Sequence, residues 1–545
     1  MDTINRALSW IKSHVLISII IFASFLRLVA LSSVPPSLNW DEVSMGYSAY
    51  SIMHTARDEW GDFMPLLFRS FGEWKSPVYI YLIVPFIKVF GLNAWGVRLP
   101  AAIAGIITIY LTYLLGRKLY NEKIALWAAF LLTVSPWHLM LSRPGYEAGV
   151  ALMLLLLGIY LFLLAIDSRN IKYYLLSAIS FGLGPHTYNS AKLVVPIIVI
   201  YLVISLRNKI IFKQLAIFGM ILALFAAPLL LSLSSGRAQG RYKQVGITTD
   251  AEVTTNFYEY RKTFPAPAIV NRVIFSKYSY FVVKGLQNWV SYFSPTFLVM
   301  QGGPRPQHNI PYRGVLYIAE IILIGYGLVS LRKFSGLSRT LPIALIVVGF
   351  IPAALTKDAF HVLRSILTLP AWQFLAAIGM AYIVEKKSGL KNTIYILLVA
   401  EIIIFGFQYY LWYPKAFAKD WQYGYKEAVE YAETHKDEYQ NIIFTKWYGE
   451  PQLFLAFYGK LDPVEFQKEN VKLKRYEELG LPWLDQLGVY KIGKYSFTSL
   501  DWKGPGDNKN NLYIGKSDDF WVDTTYLKQV KFPDGTTAFN IVEGQ

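Results

Sequence analysis

The chain has 545 residues, 54% hydrophobic and only 17% charged, with a mean hydropathy of +0.34, which excludes disordered and fibrous architectures and indicates a polytopic membrane protein. Cysteine is absent, so a disulfide framework, a thiolate metal site and a cysteine nucleophile are excluded. The formal charge of +16 comes mostly from Lys and Arg in short segments between apolar runs, where topology explains it, and no nucleic-acid recognition motif accompanies it.

Crossing a bilayer takes roughly 17 to 25 mostly apolar residues. Eleven segments are read as spans: 14–32, 97–116, 123–141, 148–166, 172–185, 193–206, 213–232, 314–331, 340–355, 362–384 and 391–411. Arg27 interrupts the first, which argues for an uncleaved span rather than a signal peptide. The run 77–91 contains Pro85 and Lys88 and is short for a crossing. If it stays on one side, all the strongly basic loops share a side, including Arg6 and Lys12, Arg117, Lys118 and Lys123, and Lys386, Lys387 and Lys391. By the positive-inside rule that side is cytoplasmic, and 77–91 becomes a juxtamembrane helix. The N-terminus is then cytoplasmic, and loop 33–96, turn 142–147, loop 233–313 and the tail 412–545 are external. The expected architecture is a transmembrane domain, 1–411, followed by a small mixed α/β domain, 412–545. In the tail, Tyr425–Lys436 reads as helix and Asn441–Trp447 as strand, with turns at Gly504-Pro505-Gly506 and Pro533-Asp534-Gly535.

The first external loop opens with Asn39-Trp40-Asp41-Glu42. Two readings of the paired carboxylates stand side by side: a general base at a membrane-facing site, or acids at the N-terminus of the helical stretch Val43–His54. Lys75, in Gly72-Glu73-Trp74-Lys75-Ser76-Pro77, is either an external cation for a ligand or a lysine snorkelling to headgroups. Arg143 and Glu147 share the next external turn, His186, Tyr188 and Lys192 a later one, and Arg364 follows Lys357-Asp358-Ala359-Phe360-His361. Cations and carboxylates on one membrane face suit transfer from a lipid phosphate, the cations binding the leaving phosphate and a carboxylate deprotonating an acceptor. Asp41 with Glu147 is the candidate oxygen pair for a divalent cation, Mg, Mn or Zn. The isolated histidines lack metal spacing, and P-loop, dinucleotide-binding and nucleophile-elbow motifs are missing. Glu320 and Glu401 fall inside spans, where an acid needs a partner or a function.

In order and spacing, Asp41-Glu42, Lys75-Ser76-Pro77, Gly91-Leu92-Asn93-Ala94-Trp95-Gly96-Val97-Arg98-Leu99-Pro100 and Gly116-Arg117-Lys118-Leu119-Tyr120 resemble the C-type (GT-C) superfamily of membrane glycosyltransferases. The likeness is to bacterial relatives of protein O-mannosyltransferases and of lipid A aminoarabinose transferase. Tyr188 to Lys192 and Arg364 to Pro370 resemble later pocket segments more loosely. The resemblance implies a GT-C fold of about 11 helices in a bacterial-type plasma membrane. It implies inverting transfer of one sugar, mannose or similar, from a polyprenyl-phosphate donor to a protein, lipid or glycan acceptor at the external face. It further implies Asp41 as general base, Lys75, Arg364 and Lys192 as phosphate ligands, and Glu42 and Glu147, with Arg143, His186 and Tyr188, positioning the acceptor or a cation. Ser76 and Glu147 depart from the family's usual Pro and Asp. A lipid-linked sugar flippase is the alternative reading, although the paired halves expected of a transporter are not visible.

Overall fold

Each of the eleven apolar segments carries a helix in the computed structural model, which describes residues 14–234, 244–247, 259–481, 483–500, 510–521 and 523–544. Among the described residues, seven helices are long and apolar enough to cross a bilayer, including Ala94–Leu119, Glu147–Ser168 and Gly389–Ala416. Others are shorter, such as Val15–Leu28, Ile171–Leu183 and Ile318–Ser330. The chain is a multi-pass membrane protein. The run 77–91 forms the 14-residue helix Pro77–Phe90, begun by a proline at its first position, where the missing N–H costs nothing. The tenth predicted span begins its helix only at Ala371, after Pro370.

The chain divides into two compact units. The first comprises Met1–Val29, Ala101–Ser142 and Glu147–Phe405. Lipid offers helices no hydrophobic reason to associate, so close packing and hydrogen bonds do the work. Ile318–Ser330 meets Ala371–Lys386 backbone to backbone: a Cβ on Gly327 would lie 2.0 Å from Leu375 O, and one on Gly379 1.8 Å from Leu323 O. Ser177 and Ser180 donate to Gly158 O and Leu154 O, both at 2.8 Å, tying Ile171–Leu183 to Glu147–Ser168. Arg27, Glu401 and Glu320, charges within the predicted spans, have polar partners. Arg27 donates to Thr133 O (3.2 Å) and pairs with His138 Nδ1 (2.8 Å). Glu401 accepts from Ile318 N–H (2.8 Å) and Ala319 N–H (3.0 Å), so it caps the positive end of helix Ile318–Ser330. Glu320 accepts from Tyr317 N–H (3.1 Å) and Gln373 Nε2 (3.3 Å).

The second unit joins Ala30–Pro100 and Arg143–Tyr146 to Gly406–Gln545. The first loop thus folds with the tail. Its hairpin pairs β1 (Phe68–Ser70) with β2 (Glu73–Lys75). The tail holds a six-stranded sheet of β3 (Asn441–Thr445), β4 (Tyr490–Ile492), β5 (Tyr495–Thr498), β6 (Asn511–Gly515), β7 (Lys528–Lys531) and β8 (Thr537–Glu543), in the order β4-β5-β3-β6-β8-β7. Central β3 is parallel to both neighbours, and the remaining pairs are antiparallel. The helix Tyr425–His435 and strand β3 match the two elements read from the tail, and the Pro533–Gly535 turn joins β7 to β8. Gly504-Pro505-Gly506 lies outside the described residues. Tyr425 stacks on Phe454 at 4.0 Å between ring centroids, which joins Tyr425–His435 to the helix Pro451–Tyr458. Gln422 of the tail, itself buried, accepts Trp40 N–H at Oε1 (2.8 Å) and donates from Nε2 to Tyr448 O (2.9 Å), and a Cβ on Gly449 would lie 3.2 Å from the Trp40 indole.

Candidate active site

Asn39 starts the site by starting a helix. Its side chain accepts from Glu42 N–H (3.0 Å) while Asn39 N–H donates to Glu42 Oε2 (3.1 Å), closing a capping box on helix Trp40–Thr55. Successive helical residues point about 100° apart, so the two adjacent carboxylates take different surroundings. Glu42 is fully buried: Oε1 receives Arg98 Nε (2.7 Å) and Gly145 N–H (2.8 Å), and Oε2 receives Arg98 Nη2 (3.1 Å). Arg98 also donates to Leu31 O (3.0 Å), Pro35 O (2.9 Å) and Ser37 O. Of the two, Glu42 is the helix-capping residue.

Asp41 faces the other way, its side chain 39% exposed, with Oδ1 2.8 Å from Nζ of Lys75, whose side chain is only 9% exposed. The hairpin presents this lysine. Its turn residues Phe71 and Gly72 take φ of +46° and +70°, and Lys75 Nζ sits 4.6 Å from the centre of the Phe71 ring. That ring lies 5.9 Å from the ring of Trp40, the residue before Asp41. Lys75 is thus a buried cation held by one carboxylate and one aromatic face, a role unlike a snorkelling lysine's.

Three buried acids that the sequence reading passed over share this unit. Glu59 accepts from Ser44 (3.4 Å) and Ser48; burial and the neighbouring Asp58 push its carboxyl well above the usual range, against the pull of Lys75. Asp58 is pushed up to about 6, mainly by burial. Glu450, buried in the tail, is also raised, by burial and by Asp485, and it too feels Lys75. Arg98 is the fourth omission. Its signals were an arginine at the head of an apolar span and its place in the Gly91–Pro100 motif.

The remaining predicted residues are placed as follows. Arg143, fully buried, donates to Val34 O (2.8 Å) and Ala30 O (3.2 Å) and lies over the Tyr410 ring (5.1 Å), so it pins the segment before Asn39. Glu147, His186, Tyr188, Lys192 and Arg364 belong to the first unit. There His186 Nε2 contacts Phe225 O (2.7 Å), Lys192 Nζ donates to Asn189 Oδ1 (2.7 Å), Tyr188 and Arg364 are buried, and Glu147 begins helix Glu147–Ser168. Asp41, the candidate metal ligand, has an ammonium beside it, and among the described residues no three His, Asp or Glu side chains converge. The groups around Asp41 therefore do not fit a divalent cation, and the chemistry derived below uses none.

A family model described as dolichyl-phosphate-mannose-protein mannosyltransferase matches residues 74–231, from just before Lys75 to beyond Lys192. Dolichyl-phosphooligosaccharide-protein glycotransferase 2 of Pyrococcus furiosus is 33% identical over 121 residues, 21% of this chain and only 16% of that protein's length. YkcB of Bacillus subtilis is 27% identical over 154 residues, 28% of this chain and 21% of its own. The structure of ArnT from Cupriavidus metallidurans bound to undecaprenyl phosphate aligns over 97% of this chain and 98% of that one, with a TM-score of 0.55 at 11% identity, a likeness of fold. The fold of that structure thus runs through nearly the whole of both chains, and the family match falls on the segment that holds Lys75, Arg98 and Arg143.

Proposed function

We propose that the protein is an inverting glycosyltransferase that moves a single sugar, mannose or similar, from a polyprenyl-phosphate donor to a protein, lipid or glycan acceptor. The reaction runs at the external face of a bacterial-type plasma membrane, with the N-terminus cytoplasmic and the tail outside. The observation that carries this reading is the Asp41–Lys75 pair, a half-exposed base against a buried cation at 2.8 Å. Neighbouring relatives support the donor class: the aligned ArnT structure holds undecaprenyl phosphate.

Lys75 exchanges Asp41 for the donor phosphate, which stabilises the leaving group and frees the Asp41 carboxylate. Asp41 takes the proton of the acceptor hydroxyl as its oxygen attacks the anomeric carbon. The bond from that carbon to the phosphate oxygen breaks, its electron pair leaves with the phosphate, and the configuration inverts. A positioned base contributes about 10²- to 10⁴-fold to such a step. His186, engaged by Phe225 O, holds its own turn.

The test is release of radiolabelled sugar from defined polyprenyl-phosphate donors by purified protein. Asp41→Asn should keep donor binding and lose at least about 10²-fold in turnover, whereas Lys75→Met should lose donor binding. Full turnover by Asp41→Asn overturns the reading.

A further inference from the structure

Three helices of the first unit, Val15–Leu28, Glu122–Val134 and Ser388–Phe407, enclose a groove of about 730 Å³. Two of them lend faces at helical spacing, Lys123, Trp127 and Phe130 on one and Tyr395, Leu398 and Ile402 on the other. The walls are apolar and open outward, Phe22 being 37% and Val399 54% exposed, so in a bilayer they meet hydrocarbon. An unfilled groove would forfeit the contacts of its lining. One end is polar. Lys123 and Lys391 lie near the starts of their helices, each one turn before an aromatic ring, Trp127 and Tyr395. These rings stack with centroids 5.9 Å apart, and Lys391 Nζ lies 5.7 Å from the centre of Tyr395. Of the acids at this end, Glu385 lies 3.4 Å from Lys123 Nζ, both side chains being about half exposed, and Glu122 is engaged by Arg117 at 3.2 Å. Lys386, Lys387 and Lys391 have no carboxylate partner among the described residues. Cations at helix starts also stand against the helix dipole, which favours an anion there.

We propose that this groove seats one anionic phospholipid of the bilayer, such as phosphatidylglycerol, with an acyl chain along the apolar walls and the phosphate at Lys123 and Lys391. Basic pockets between spans take anionic headgroups in this way. Trp127 and Tyr395 are rings of the kind that settle at headgroup level, and lysines beside them reach outward to the phosphates. The length agrees. From Lys391 to Ile402 the helix rises about 16 Å, and one leaflet contributes about 15 Å of hydrocarbon. The groove therefore matches a single phospholipid chain, which a long polyprenyl chain would outrun. Neither Asp41 nor Lys75 takes part, so the seat stands or falls apart from the transferase reading.

The experiment titrates the full-length protein in detergent with phosphatidylglycerol and with phosphatidylcholine carrying the same dibrominated acyl chain, and reads tryptophan quenching. The difference between wild type and Trp127→Phe, which keeps a ring against Tyr395, isolates the signal of Trp127; thermal unfolding checks that the variant is folded, and Trp127→Tyr replaces it if it is not. Half-maximal quenching of that signal should need about tenfold less phosphatidylglycerol than phosphatidylcholine, the order expected of two lysines at a headgroup. Lys123→Gln combined with Lys391→Gln should bring the two lipids together. Unbrominated phosphatidylglycerol should relieve the quenching better than undecaprenyl phosphate does. Equal quenching of Trp127 by the two lipids overturns the anionic seat. Quenching by neither lipid also overturns it, the groove then being covered by protein. Stronger relief by undecaprenyl phosphate gives the groove to a polyprenyl lipid and overturns the assignment as well.

Discussion

Arg98→Met tests the structural role of Glu42, the buried member of the acidic pair. Arg98 and Glu42 are both fully buried and meet through two contacts, 2.7 and 3.1 Å. Removing one partner of such a pair costs about 3–5 kcal/mol, because the other charge stays buried without its counterion. Glu42 would keep only the N–H groups of Gly145 and Asn39, and Leu31 O and Pro35 O would each lose a charged donor. A loss of about 4 kcal/mol lowers the folded-to-unfolded ratio about 10³-fold. Asp41→Asn, at a side chain 39% exposed, should stay within about 1 kcal/mol of wild type. SDS-titrated unfolding in mixed micelles, followed by tryptophan fluorescence, reads both. Glu42→Gln with Arg98→Met should cost less than the two single changes summed, because the pair is removed together. An Arg98→Met protein as stable as wild type, or strict additivity in the cycle, would refute the assignment of Glu42 to the scaffold.

Asp58 makes the fold prefer acid. Its folded pKa, about 6, lies above its ordinary value of 3.8, so the folded state holds the proton longer and stability should fall as pH rises between about 4 and 6; Asp58→Asn should flatten that slope in thermal unfolding. Gly379→Ala places a Cβ 1.8 Å from Leu323 O and should force two helices apart at a cost of about 1–3 kcal/mol, read as a lower SDS midpoint; an unchanged midpoint contradicts the contact. EDTA should leave sugar release intact, since Lys75 occupies the place beside Asp41; loss restored by Mg, Mn or Zn would reinstate a cation. In intact cells, Asn121→Cys should resist an impermeant thiol reagent and Glu469→Cys should react; the reverse pattern inverts the topology.

The helices were legible because a lipid-facing chain writes its span lengths in apolar residues, and 77–91, set apart in composition by Pro85 and Lys88, forms a helix of 14 residues. Asp41 and Lys75 were legible as types placed at a boundary where apolar residues would be cheaper. What adjacency could not reveal is which of Asp41 and Glu42 points inward, since that depends on Arg98, 56 residues away. The partners of Glu320 and Glu401 were hidden for the same reason. One uses the Tyr317 N–H at its own helix start and the Gln373 amide, the other caps that start from a helix more than eighty residues later, and neither leaves a mark in local composition. Glu450 has no signal of its own in the sequence, and only the tertiary meeting of Gly449 with Trp40 brings its loop to the start of helix Trp40–Thr55.

The Gln422 tether also bears on modularity. A tail that could be exchanged freely would let a lineage change acceptors by swapping one exon-sized piece while keeping the membrane machinery. Here the tail reaches the backbone of Trp40 through a single amide side chain and closes on the indole with a glycine. Any graft would have to bring a matching amide and a matching glycine, or the helix bearing Asp41 would lose its outer anchor. Tail and first loop should therefore travel together as one inheritable cassette, and a chimaera cut between residues 100 and 406 without both halves of that cassette should fold less well than one that preserves them.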